Sequence, residues 1–147
     1  MFTVINTNGY KINQLADLLP YIDSISLSRH HYSDMKNQTI FKLDKVPLEE
    51  EIANFPDKSK LHISCNLMKD YIGTMEEVIN FLEWASSINC KDIGFVSLMP
   101  TNEYCKEQFV DFNDLNFENM QDIFITKNWN YENLCKCRNY IYITKKR

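Results

Sequence analysis

Short apolar runs alternate with helix-forming segments along the first 100 residues, and this alternation constrains the fold more than any other feature. Four runs have the composition of buried strands, at residues 2–5, 22–27, 61–65 and 92–96. Segments with helical spacing lie between them, at residues 12–19, 48–55 and 75–88. A chain that alternates strands with helices forms right-handed βαβ units around a parallel sheet. The sequence therefore predicts an α/β protein.

The clearest predicted helix follows Thr74. Thr74 and Glu77 have the spacing of a capping box, in which each side chain accepts a hydrogen bond from a backbone N–H of the first turn. The next residues carry a continuous apolar stripe that is expected to be core: Met75, Val78, Ile79, Leu82, Ala85 and Ile88. Pro20 is expected to end the earlier helix at residues 12–19.

Composition excludes several classes of protein. A chain of 147 residues, 44% hydrophobic and 13% aromatic, can bury one core, so a single domain is expected. The formal charge of -4 argues against a surface that neutralises a phosphate backbone, so no nucleic-acid partner is expected. Because no apolar run approaches the roughly 20 residues that cross a bilayer, and no signal peptide is recognisable, we expect no membrane partner.

The five cysteines are odd in number and irregularly spaced. This pattern favours reduced thiols over a disulfide framework and so predicts a cytoplasmic protein. Cys65 and Cys90 lie within or beside apolar elements and are expected to be small core residues. A zinc site at Cys105, Cys135 and Cys137 would need a further donor such as His62, so no metal site is assigned.

The segment from Thr101 differs in character from the rest. It is interpreted as an extension, residues 101–147, that packs on the domain formed by residues 1–100. A loop, a short helix at about residues 113–124 and a turn are predicted, followed by a terminal strand with alternating Tyr140, Tyr142 and basic residues. This strand, alone or in a hairpin, is expected to close the open side of the sheet.

Polar sequences follow each of the four predicted strands. They are NTNG at residues 6–9, SRHHY at 28–32, SCN at 64–66 and SLMP at 97–100. Ligands of parallel α/β proteins bind outside the carboxyl ends of the strands, so these sequences are expected to meet along one rim and to form the site.

Charged and ionisable residues cluster in the second of these sequences. Arg29 is either an anion ligand or a partner in a structural salt bridge, since its planar fork suits a carboxylate in both cases. His30 and His31 point in different directions if the backbone is extended, which makes them a poor chelating pair. They are interpreted as surface or substrate-facing residues able to carry protons near neutral pH. No catalytic residue is assigned.

Four stretches in this order also resemble a known family. They are TVINTNGY, ISLSRHHY, LHISCNLMKDYIGTMEEVINFLEWA and IGFVSLMP, all within about residues 2–100. Together they look like the later βα units of a radical S-adenosylmethionine (radical SAM) enzyme. They are most similar to the branch that includes the molybdenum cofactor biosynthesis cyclase.

The resemblance implies a partial (β/α) barrel, half of a TIM-like barrel, with a C-terminal helix and a strand or hairpin. In the family, a CxxxCxxC loop binds a [4Fe-4S] cluster, and a GGEP-like turn holds the amino group of S-adenosylmethionine. Neither motif occurs in this sequence, so the cluster ligands would come from elsewhere. Because a half barrel leaves one strand edge unpaired, the expected partner is a separate N-terminal half or a second copy of the chain.

The resemblance also assigns cofactor-binding roles to matching positions, which are Thr7, Asn8, Ser26, Ser28, Arg29, Ser64, Asn66 and Met99. The first two would lie near the methionyl end of the cofactor. The positions after the second strand would contact its carboxylate or ribose, and those after the third its ribose hydroxyls. Met99 would lie near the adenine.

Two classes of function follow. In the first, the chain is a fragment or truncated member of the radical SAM enzymes that contributes to a pocket for S-adenosylmethionine and substrate but is inactive alone. In the second, it is a non-catalytic binding or assembly module that keeps the half-barrel fold.

Overall fold

A computed structural model of the chain describes residues 2–90, 92–117, 124–129 and 139–144. Within these ranges, four strands form a parallel sheet in chain order: β1 Val4–Thr7, β2 Ser24–Ser28, β3 Leu61–Leu67 and β4 Asp92–Ser97. The predicted α/β class and all four predicted strands are therefore confirmed.

Two antiparallel strands extend the sheet beyond β4. They are β5 Phe124–Trp129 and β6 Asn139–Thr144, and the order across the sheet is β1, β2, β3, β4, β6, β5. The predicted terminal strand is thus present and pairs with β4. The helix predicted at residues 113–124 is wrong at both described ends, where a 3₁₀ turn, Phe112–Asp114, and the start of β5 are found. Its middle lies outside the described residues.

Helices connect the parallel strands, and the last of them follows β4. They are α1 Asp34–Phe41, α2 Glu49–Ala53, α3 Met75–Ser87 and α4 Glu103–Glu107, with a 3₁₀ helix at Ile12–Tyr21. Thr74 begins α3 as predicted, since its hydroxyl accepts a hydrogen bond from the backbone N–H of Glu77. The 3₁₀ helix runs one residue past Pro20, so the proline lies inside its end instead of stopping it.

The two faces of the parallel sheet differ sharply. One face packs against the helices through fully buried apolar side chains, among them Leu27, Ile63 and Phe95. The Phe81 ring of α3 contacts the Phe95 ring edge-on at 5.6 Å between centroids. The predicted stripe on α3 is core, because Val78, Leu82, Ala85 and Ile88 are buried while Met75 and Ile79 pack against them in part.

The opposite face of the sheet is mostly polar, with Val4, Gly94 and Val96 as apolar members, and we call it the open face. Its polar members, none of them buried, are Asn6, Ser24, Ser26, Ser28, His62, Ser64, Asn66 and Asp92. Parallel sheets are normally covered on both faces, and their strands then consist of continuous apolar runs. In β2 and β3 apolar and polar residues instead alternate, so one face of each of these strands is apolar. In the described part of the chain the helices pack on that apolar face.

Candidate functional site

Four of the candidate residues lie on the open face near the carboxyl ends of β2 and β3. Ser28 is directly opposite Ser64 in the strand register, and Ser26 and Asn66 lie two residues from them on the same face. All four side chains are half-buried. The fold thus brings these four predicted residues together. Their hydroxyl and amide groups can donate hydrogen bonds to a polar ligand and accept hydrogen bonds from it.

The side chains of Thr7 and Asn8 form hydrogen bonds within the turn that follows β1. The Thr7 hydroxyl accepts a hydrogen bond from the N–H of Gly9 at 3.0 Å, and the Asn8 side chain accepts one from the N–H of Tyr10 at 3.1 Å. Thr7 is opposite Leu27 in the register and so lies on the helix-covered face. Thr7 is therefore separated from the group on the open face.

Gly9 gives this turn its shape. Its φ angle is 79°, in the left-handed region that favours glycine. A Cβ atom at this position would lie 2.5 Å from Cγ of Pro47 and 2.6 Å from Cδ1 of Leu27. The turn after β1 therefore packs directly against the segment that leads into α2.

Arg29 is almost fully buried, with 1% of its surface exposed. Its guanidinium donates to the carbonyl oxygens of Pro47 and Tyr32 and pairs with the Asp34 carboxylate at 2.6 Å. Burial lowers the pKa of Arg29, and the hydrogen bond and charge of Asp34 oppose that shift. The structural salt bridge, one of the two sequence-based alternatives, is thus present, and three donations of the fork are made within the chain.

Asn37 on α1 holds the loop that carries the two histidines. Its side-chain oxygen accepts from the backbone N–H groups of His30 and His31, and its amide nitrogen donates to the carbonyls of His31 and Ser33. Asn37 is 1% exposed, so these bonds are shielded from water. Sequence reasoning missed both α1 and this residue.

His30 connects the ends of β2 and β3. Its Nδ1 accepts a hydrogen bond from the backbone N–H of Asn66 at 3.1 Å, and its ring stacks on Phe41 at 5.0 Å between centroids. Burial lowers the pKa of His30 to about 4. His30 is therefore neutral at pH 7, and the neutral ring carries its proton on Nε2.

His31 is fully buried, which differs from the surface or substrate-facing position expected for it. Its Nδ1 accepts from the N–H of Ser33 at 2.9 Å, while Nε2 has no hydrogen-bond partner and lies 4.0 Å from Oε2 of Glu77. Burial, aided by the charge of Lys36, lowers the pKa of His31 to about 4. At neutral pH the contact with Glu77 is thus not an ion pair.

The remaining candidates lie at the far end of β4 and among the cysteines. Met99 is 65% exposed just beyond β4. Cys65 and Cys90 are core residues as predicted, and burial raises the pKa of both thiols, that of Cys90 to about 11. Cys135 and Cys137 lie outside the described residues. Elsewhere in the described ranges, no group of three or more His, Cys, Asp or Glu side chains is placed to hold a metal ion.

One pair on the open face was not foreseen as a site. Nδ1 of His62 lies 3.0 Å from Oδ1 of Asp92, and the side chains are 22% and 45% exposed. The register places Ser26 opposite His62 and Asn6 opposite Ser26, so four polar residues form one row across the four strands. Only the strand register reveals this row, because the residues are far apart in sequence.

No protein-family model matches the chain, and no curated protein is significantly similar to it in sequence. Among the residues that the structure describes, no helix is both long and apolar enough to span a membrane.

Proposed function

We propose that this chain supplies the later βα units of a radical SAM pocket, with the open face turned toward S-adenosylmethionine and substrate. The observation that carries the proposal is the one-sided covering of the parallel sheet. In a barrel of βα units the helices lie outside, and the ligand binds where the inward face reaches the carboxyl ends of the strands. The half-buried polar side chains Ser28, Ser64 and Asn66 suit an inward face at the ligand end of the strands.

The described residues fit the two cofactors of this family unequally. The hydroxyl and amide groups of Ser26, Ser28, Ser64 and Asn66 fit the ribose and carboxylate of S-adenosylmethionine, which need both donors and acceptors. The buried thiols Cys65 and Cys90 do not fit a [4Fe-4S] cluster, because cluster ligands are grouped thiolates and these thiols stay protonated. A cluster would have to be held by a partner polypeptide or by residues outside the described ranges.

The proposed role is therefore binding and orientation, with no radical step assigned to this chain alone. The partner that completes the pocket would be an N-terminal half carrying CxxxCxxC and a GGEP-like turn, or a second copy of the chain. The edge of β1 is the natural place for a further strand, since β1 is the terminal strand of the described sheet. The free thiols of the described cysteines, Cys65, Cys90 and Cys105, support a cytoplasmic location for such an assembly.

The first test measures binding of S-adenosylmethionine to the full chain by equilibrium dialysis. The proposal expects measurable binding that weakens about tenfold in Asn66→Ala, the loss of one well-placed hydrogen bond to a polar ligand. The substitution leaves the backbone N–H of Asn66, and thus its bond to His30, in place. Ser86→Ala, an exposed position on α3, is the matched control and should bind as the unchanged chain does.

The second test is anaerobic reconstitution with iron and sulfide, for the chain alone and for the chain mixed with a polypeptide that carries the missing motifs. Broad visible absorption and cleavage of S-adenosylmethionine are expected only in the mixture. Cluster formation by the isolated chain would contradict the proposal. If neither sample forms a cluster and dialysis detects no binding, the non-catalytic binding or assembly module is the better description.

A further inference from the structure

The three histidines of the chain differ in which ring nitrogen holds the proton. A backbone N–H can only donate, so Nδ1 of His30 and Nδ1 of His31 must both act as acceptors. Each of these neutral rings therefore carries its proton on Nε2. Neither ring has a basic nitrogen left for a ligand.

His62 has the opposite arrangement. An ionised carboxylate can only accept, so Nδ1 of His62 carries the proton that is shared with Asp92 at 3.0 Å. In the neutral ring, Nε2 then keeps its lone pair. Within the described part of the chain, no hydrogen bond to this atom is formed.

The position of His62 makes that lone pair available. The side chain lies on the open face and is 22% exposed, whereas His31 is fully buried. The two nitrogens of an imidazole point in divergent directions, so the bond from Nδ1 to β4 turns Nε2 away from Asp92. Ser26, directly opposite on β2, is the nearest polar residue on the other side of the row.

We propose that His62, oriented by Asp92, is a general base that accepts a proton from a hydroxyl group, either water or an alcohol, on the open face. A carboxylate bonded to Nδ1 fixes the tautomer of a histidine and stabilises the imidazolium that forms when Nε2 takes a proton. The ligand class is a small polar molecule whose hydroxyl lies between His62 and Ser26. This role needs no S-adenosylmethionine and is independent of the function proposed above.

The tautomer is tested directly by nitrogen NMR of the ring atoms in the unchanged chain at neutral pH. The inference expects the proton of neutral His62 on Nδ1 and the protons of His30 and His31 on Nε2. A His62 ring protonated on Nε2 alone would overturn it. This measurement needs no variant, so a substitution that fails to fold does not affect it.

The chemistry is tested with p-nitrophenyl acetate as the probe. Water attacks the acetyl carbonyl while one of its protons passes to Nε2 of His62, and p-nitrophenolate leaves. The acetic acid that forms ionises to acetate in solvent, and the imidazolium returns its proton to solvent. The full chain should release p-nitrophenolate faster than buffer, and the excess rate should fall about tenfold or more in His62→Gln. The rate should also be lower in deuterium oxide, as expected when a proton moves in the slow step.

Asp92→Asn tests the orienting residue, because it keeps the shape of the side chain but removes the charge that holds the tautomer. Its excess rate should fall to a similar extent, while Asp17→Asn, which removes the same charge at an exposed site, should change nothing. Equal rates for the unchanged chain and His62→Gln would overturn the proposal. The proposal would also be overturned if acetylation of another residue accounted for all of the excess p-nitrophenolate released by the chain.

Discussion

The guanidinium carbon of Arg29 lies 4.5 Å from the centre of the Trp84 ring, so the cation that follows β2 packs against the face of an aromatic residue on α3. Trp84 donates from its ring nitrogen to Glu49 at 2.8 Å, and the backbone N–H of Glu49 bonds to Asp34. Asp34 in turn pairs with Arg29. One buried charge therefore joins the loop after β2 to α1, α2 and α3.

Replacement of Arg29 by Gln should destabilise the fold. The change removes the ion pair with Asp34 and leaves the carbonyls of Pro47 and Tyr32 without their donors, so the free energy of unfolding should fall by about 3 kcal/mol. Urea unfolding followed by circular dichroism measures it. Lys45→Gln, which removes an exposed cation, should change the value by less than about 0.5 kcal/mol. Equal stability of the two variants would show that the buried network contributes nothing.

Replacement of Gly9 by Ala should also destabilise the chain. The added Cβ would meet Pro47 and Leu27 at distances that force a shift, and the φ angle of 79° is unfavourable for alanine. The expected loss is about 2 kcal/mol by thermal or urea unfolding. Lys42→Gly is the counterpart, because Lys42 ends α1 with a φ angle of 53°. That variant should be as stable as the unchanged chain or more so. A neutral Gly9→Ala would mean that the turn after β1 is not packed as described.

The two histidines of the loop should make stability depend on pH. Their pKa of about 4 in the folded chain is below the ordinary value of 6.5, so between these pH values the unfolded chain binds more protons. Stability should therefore fall as the pH drops from about 6.5 to about 4, by about 1.4 kcal/mol per pH unit for each histidine, and should lose nothing more from these groups below that.

The check compares urea unfolding of the unchanged chain with that of His30→Gln and His31→Gln at several pH values in this window. Each variant should show a shallower fall than the unchanged chain, because one of the two titrating rings is gone. All three proteins have the same carboxylates. Subtracting the stability curve of a variant from that of the unchanged chain therefore cancels the contribution of the carboxylates. Parallel curves would show that the rings titrate normally in the folded chain.

The buried thiols should resist alkylation. Cys65 and Cys90 are inaccessible and protonated, whereas Cys105 on α4 is half-buried and offers a better target. Iodoacetamide at pH 8, followed by mass spectrometry of peptides, should label Cys105 well before Cys65 or Cys90. In urea the three should react at similar rates. Rapid labelling of Cys65 in the folded chain would contradict its place in the core.

The elements that the sequence predicts correctly are those in which local pattern and burial agree. Each parallel strand contains apolar residues either at alternate positions or in a continuous run. The helix α3 has both a capping threonine and an apolar stripe. α1 lacks such a stripe, since its one buried residue is the polar Asn37 and its Met35 is 72% exposed. Its cap at Ser33 was the available signal. A helix that is held in place by side-chain hydrogen bonds to a neighbouring loop needs no apolar stripe. Its sequence therefore lacks the hydrophobic periodicity from which helices are predicted.

The site was predicted less completely than the fold. The polar ends of β2 and β3 could be located because parallel strands end on the same side of a sheet. The burial of Arg29 could not be predicted from the sequence. It depends on Trp84 and Pro47, which approach Arg29 only after the chain has folded. The pair of His62 and Asp92 was missed because its residues lie near the starts of β3 and β4, and the relative register of two strands is a tertiary property.

The two faces of the sheet imply that tolerance to substitution alternates along β2 and β3 with a period of two residues. In β3, changes at Leu61, Ile63, Cys65 and Leu67 would appear as loss of folded protein. Changes at the intervening positions would leave the protein folded and alter only what it binds. A saturation library of this one strand, sorted separately for abundance and for ligand capture, would thus divide into odd and even positions.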